Sequence, residues 1–146
     1  MDVISLLTRA RAFLGLGLAE VQRVLGDGAR PVPGDEYGRM ENVTSIENPQ
    51  VFPGTLYLGN ETVELVRVGR AGLAEITEPM LRAHCGPDPV CLRSRAGKTA
   101  NMWVYAPQGV AYSSQGETVH FLEVFHPCSH GEYEARIYRE PPDFVR

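Results

Sequence analysis

The chain carries one phrase twice. Gly54-Thr55-Leu56-Tyr57 is followed after three residues by Glu61-Thr62-Val63 and then by Val66 and Val68. Gly109-Val110-Ala111-Tyr112 is followed after four residues by Glu117-Thr118-Val119 and then by Leu122 and Val124, at an offset of about 55 residues. A turn, a tyrosine, a second turn and a Glu-Thr-Val run are the sequence form of a β-hairpin, because turn geometry restricts both the turn residues and the alternation behind them. A second echo precedes each hairpin: Leu16-Gly17, Val21 and Leu25-Gly26 match Ile76-Thr77, Leu81 and Cys85-Gly86. The repeating unit reads as a short helix followed by antiparallel strands, spanning about 16–70 and again 76–126. This constrains architecture strongly and contains no chemistry.

Around that repeat the remaining elements fall into place. Ile4, Leu7, Arg11 and Leu14 recur at helical spacing, and Gly15 and Gly17 punctuate the run before a second helix over 18–25. Gly26 stands where a left-handed C-terminal residue is expected. Residues 27–54, rich in Pro, Gly, Asp, Glu and Asn, form the longest irregular stretch, read as a surface loop or a pair of weak edge strands. The next helix begins at Thr77 as N-cap, tolerates Pro79 in its first turn and ends before Gly86-Pro87. Val90 to Arg93 and Met102 to Tyr105 read as strands, and the alternation of Tyr133, Ala135 and Ile137 predicts a last strand, within a C-terminal strand and tail over 131–146. Alternation gives the long strands two faces: Glu64, Val66 and Val68 against Val63, Leu65 and Arg67, then His120, Leu122 and Val124 against Val119, Phe121 and Glu123. Apolar residues on both faces imply helices on one side and a partly solvated face on the other.

With 146 residues, 43% hydrophobic and 22% charged, the chain has the composition of one globular domain large enough to bury a substantial core. A net charge of -4 argues against a protein that tracks nucleic-acid phosphates. No run approaches the ~20 apolar residues of a membrane span. Asp2, Arg9 and Arg11 interrupt any signal-peptide core, so a cytoplasmic setting is expected, in which Cys85, Cys91 and Cys128 are reduced thiols.

A helix closing on a hydrophobic-Gly pair and followed by an antiparallel meander, in tandem, resembles the folds of β-lactamase-inhibitor proteins and of small outer-membrane assembly lipoproteins. The matching positions are Gly17, Val21, Leu25 and Gly26, then Thr77, Leu81, Cys85, Gly86 and Pro87. The chain departs from both families in lacking a lipid-anchored cysteine near its start and paired cysteines. The resemblance implies a sheet with helices on one face and a concave opposite face able to grip another protein.

Chemistry-bearing motifs are sparse. Ala96-Gly97-Lys98-Thr99 has the tail of a phosphate loop, but Leu92 stands where the first glycine of that motif is required. His126, Cys128 and His130 have ligand types suited to zinc, without an identifiable fourth ligand. His84 and Cys85 are adjacent on a helix and point about 100° apart, and the echo puts Cys85 in the place of Leu25, a small buried hydrophobe. Glu61 and Glu117 recur beside turns and reflect turn chemistry. Trp103, Tyr105, Tyr112 and Phe121 form an aromatic group suited to a core or to a binding hot spot.

The sequence therefore predicts an α+β protein: an antiparallel sheet of two related helix-hairpin halves with helices packed on one face. The expected function is non-enzymatic binding of another protein, with Trp103, Tyr105, Phe121, Leu65 and Arg67 as contact residues and with no cofactor, nucleic acid or membrane involved. The alternative is a small-ligand binder or enzyme with a helix-sheet pocket near Tyr112, His120 and His126.

Overall fold

The computed structural model describes residues 1–142. Its eight strands are β1 (Val32–Tyr37), β2 (Met40–Asn48), β3 (Phe52–Gly59), β4 (Thr62–Gly69), β5 (Val90–Arg93), β6 (Asn101–Tyr105), β7 (Val110–Gln115) and β8 (Thr118–Phe125). They make one antiparallel sheet in the order β1-β2-β3-β4-β8-β7-β6-β5, so the first four strands run from one edge to the centre and the last four from the other edge. The helices are α1 (Val3–Phe13), α2 (Leu18–Leu25), α3 (Glu78–Cys85) and α4 (His130–Arg136). The protein is thus α+β with an antiparallel sheet, as the sequence predicts.

Local chemistry accounts for the short helices. Both α2 and α3 have eight residues, and each stops where a glycine takes a positive φ, +81° at Gly26 and +111° at Gly86. Their N-caps are pinned to the sheet by isolated bridges, Gly17 to Thr62 and Thr77 to Thr118. One face of each helix then meets the strands: Leu6, Leu7, Ala10, Val21, Leu25, Leu81 and Cys85 are buried with Ile46, Leu56, Val66, Val68, Tyr112, Leu122 and Val124. Each Leu, Ile or Val among them contributes about 1.5–3 kcal/mol through burial.

The hairpins differ from expectation by one rung. Tyr57 pairs with Leu65, whereas Tyr112 pairs with Leu122. Because strand side chains alternate, that single step sends the two tyrosines to opposite faces. Tyr112 is fully buried beneath the helices, while Tyr57 packs with Tyr37 and Leu65 on the other side. The extra residue before the second Glu-Thr-Val causes the slip, so the matched tyrosines do not occupy corresponding places. The expected faces of β4 and β8 change too. Leu58 pairs with Val63 and Ser114 with Val119, which leaves Glu64 and His120 as the inserted residues of two bulges. Val63 and Val119 consequently join Val66, Val68, Leu122 and Val124 under the helices.

The stretch over 27–54 forms strands at one sheet edge, the second of its two expected readings, and contains β1, β2 and the start of β3. One further expectation needs correction. The predicted last strand is instead α4, opened by a capping box in which the Glu132 amide donates to Ser129 Oγ and the Ser129 amide donates to Glu132 Oε1, both at 3.1 Å. Helix α4 lies on the face opposite α1, α2 and α3. There Tyr133 and Ile137, with Tyr37 from the end of β1, cover Leu65, Met102, Val104, Ala111, Phe121 and Phe125. Helices therefore occupy both sides of the sheet, and the face expected to stand open is packed by the chain itself.

Candidate functional site

The strongest concentration of polar chemistry is buried on the α4 side. Glu123 is 2% exposed and directly opposite Arg67 across the β4–β8 ladder. Its carboxylate accepts hydrogen bonds from the hydroxyls of Tyr37, at the end of β1, and Tyr133, in α4, the latter at 2.5 Å. Burial pushes the Glu123 carboxyl above the usual carboxylate range, and the two tyrosine donors with Arg95 and Arg67 pull it back. Arg95 lies over the Tyr37 ring at 5.9 Å, and Arg67 over Phe121 at 4.8 Å. The adjoining cavity measures only about 10 Å³, the room of one water. An acid so enclosed cannot meet a substrate. It acts as a knot joining the first strand, the central strand and α4.

A second group lies on the helix side, near the β5 edge. Glu78 in α3 accepts from Tyr112 at 2.5 Å and from Arg82 at 3.1 Å. Burial, with the hydrogen bond to Glu78, holds the Tyr112 phenol above its ordinary value. Arg82 in turn stacks on Trp103 at 4.4 Å from the ring centre. The Trp103 indole donates to Ser114 Oγ at 2.9 Å, and the Tyr105 hydroxyl donates to the Gly86 carbonyl at 2.6 Å. Trp103 is half-buried and pairs across the ladder with the exposed Cys91 of β5. This makes a ledge of one aromatic, one guanidinium and one thiol beside an outer strand.

The two sheet edges differ in kind. On β1, Pro33, a positive-φ Gly34 and two register shifts break the outer strand. On β5 the register is unbroken from Val90↔Val104 to Arg93↔Asn101, and the strand contains no proline. Among the described residues no further strand lies beyond β5. The Tyr138 hydroxyl caps the Arg93 carbonyl at 2.7 Å, leaving Val90 to Leu92 as the open stretch. At the end of that stretch is a cavity of about 240 Å³ lined by Cys91, Leu92, Arg93, Lys98, Asn101 and Pro141, among other residues.

The residues singled out from sequence do not form one surface. Trp103 and Tyr105 face the helices, whereas Leu65 and Phe121 belong to the α4 side, with Arg67 stacked on Phe121. Tyr105 is 5% exposed and Leu65 fully buried, so both pack the interior. His126 and Cys128 lie in the link before α4 and His130 begins that helix; among the described residues no group of three or more His, Cys, Asp or Glu could hold a metal. Tyr112, His120 and His126 do not share a pocket: Tyr112 is sealed against α3, His120 is a bulge residue near the start of β8, and His126 follows its far end beside a cavity of about 50 Å³. Sequence reasoning missed Glu123, Tyr37, Tyr133 and Arg95. The available signal was a carboxylate at the centre of the otherwise apolar run Phe121 to Phe125. No family model, curated protein or solved structure matches the chain.

Proposed function

We propose that this chain is a non-enzymatic protein-binding module whose partner docks along the β5 edge and the Trp103–Arg82 ledge. The observation that carries the reading is the contrast between the edges: β1 is blunted by proline and bulges, while β5 is regular and flanked by a half-buried tryptophan. An unblunted edge offers main-chain donors and acceptors to an added strand. Tryptophan and arginine are the side chains most often found to dominate binding energy. The enclosure of Glu123 argues against catalysis at that buried acid. The surface moves from the sheet face expected from sequence to the sheet edge, and Trp103 is the contact residue retained.

The common origin of the two halves belongs to the same proposal. It is supported by the equal lengths of α2 and α3, the paired bridges at their N-caps and the bulges at Glu64 and His120. The likeness to β-lactamase-inhibitor proteins enters only as a precedent for sheet-based capture of a protein. The test is affinity capture from the native extract with matched variants. Cys91→Glu and Trp103→Ala lose the partner, while Val24→Glu, on the exposed face of α2, keeps it. Equal capture by all three folded variants would remove the β5 edge from consideration.

A further inference from the structure

The β5 edge also has a chemical preference, and this inference rests on the docking reading above. We infer that β5 accepts a ninth strand from an extended, carboxylate-bearing segment of the partner, and that the cavity at the end of the strand seats the carboxylate against Lys98. Three observations converge. The open stretch Val90 to Leu92 has a regular register and no neighbour beyond it among the described residues. The cavity of about 240 Å³ adjoins that stretch, and its charged lining consists of two cations, Arg93 and Lys98. Arg93 already holds Glu140 at 3.3 Å, whereas the exposed Lys98, the chain's single lysine, stands in the loop between β5 and β6.

The two sides of the edge add selectivity. Side chains of an added strand alternate between faces. One set would lie beside Cys91 and the Arg82–Trp103 stack, the other beside Leu92. Arg82 adds positive charge on the first side, 31% exposed even while paired with Glu78. A chain of net charge -4 repels acidic segments overall, so the exposed Lys98 beside β5 directs such a segment to that edge. Backbone pairing supplies the affinity, and the carboxylate supplies the orientation.

The experiment uses the full chain, 15N-labelled, titrated with the acetylated peptide Thr-Val-Thr-Val-Thr-Glu carrying a free C-terminus. Expected are saturable shifts at the amides of Val90 to Arg93 and of Lys98. The Gln-ended, amidated peptide binds about two- to fivefold more weakly, the worth of one exposed ion pair. A version N-methylated at alternate amides does not bind. Lys98→Glu, a change in an exposed loop, abolishes the preference for the acidic peptide. Absence of shifts at β5 at millimolar peptide, equal affinity for the acidic and amidated peptides, or undiminished binding of the N-methylated peptide each overturns the inference. If they do so while Cys91→Glu still abolishes capture from extract, the docking surface stands with a partner of different chemistry.

Discussion

Glu123 is a carboxylic acid that the fold buries and holds between two phenol hydroxyls. An acid with a raised folded pKa holds its proton more tightly when folded, so its stabilising effect is complete below the unfolded value near 4.5 and is lost as pH rises toward the elevated folded value. Denaturation midpoints of the wild type should therefore fall across that window, and Glu123→Gln, which keeps the shape without a titrating proton, should flatten the decline. A wild-type slope retained in the Gln variant would place its origin elsewhere. Tyr133→Phe removes one donor to a buried acceptor and is expected to cost about 1.5–3 kcal/mol, read by chemical denaturation. Neither role is visible in the linear chain. Glu123 shows there only as a carboxylate within the apolar run Phe121 to Phe125, and its partners lie 86 and 10 residues away.

Helices were largely legible where their stop signals are local. Gly26 and Gly86 end α2 and α3 at the expected residues, and Thr77 opens α3. Helix α4 was misread because Tyr133, Ala135 and Ile137 satisfy a period of two, although Ser129 and Glu132 already spelled a capping box. Ser129→Ala should cost about 1 kcal/mol and weaken amide protection over 130–137, with little effect at β5. The tip of the β1–β2 hairpin depends on Gly38, which has φ +55° and faces the Ile137 carbonyl so closely that a Cβ would stand 1.9 Å from its oxygen. Gly38→Ala should lift the hairpin from the end of α4 and destabilise by about 1–3 kcal/mol, measurable by hydrogen exchange at Tyr37 to Met40. Unchanged exchange there would show that the contact is dispensable.

For the molecule as a whole, the sheet is covered on both faces and differs at its two edges. One substitution in the interior and one at the edge should separate these regions. Leu65→Ala, fully buried opposite α4, is expected to cost about 2–5 kcal/mol. Lys98→Glu, in an exposed loop, should stay within about 0.5 kcal/mol of wild type while changing peptide preference. A comparable loss of stability in both variants would contradict the distinction between interior and edge.

Periodicity, turn residues and caps act over a few neighbouring positions, so the α+β class, the three helices of the first face and both central hairpins could be read along the chain. The faces of Tyr57 and Tyr112, the covering of the second sheet side by α4, the Glu123 knot and the difference between β1 and β5 arise from register and from contacts between distant segments. A one-residue change in a hairpin inverts every side chain beyond it, and a buried carboxylate is tolerated only where donors from elsewhere in the chain arrive. Those conditions are met in space, not along the sequence.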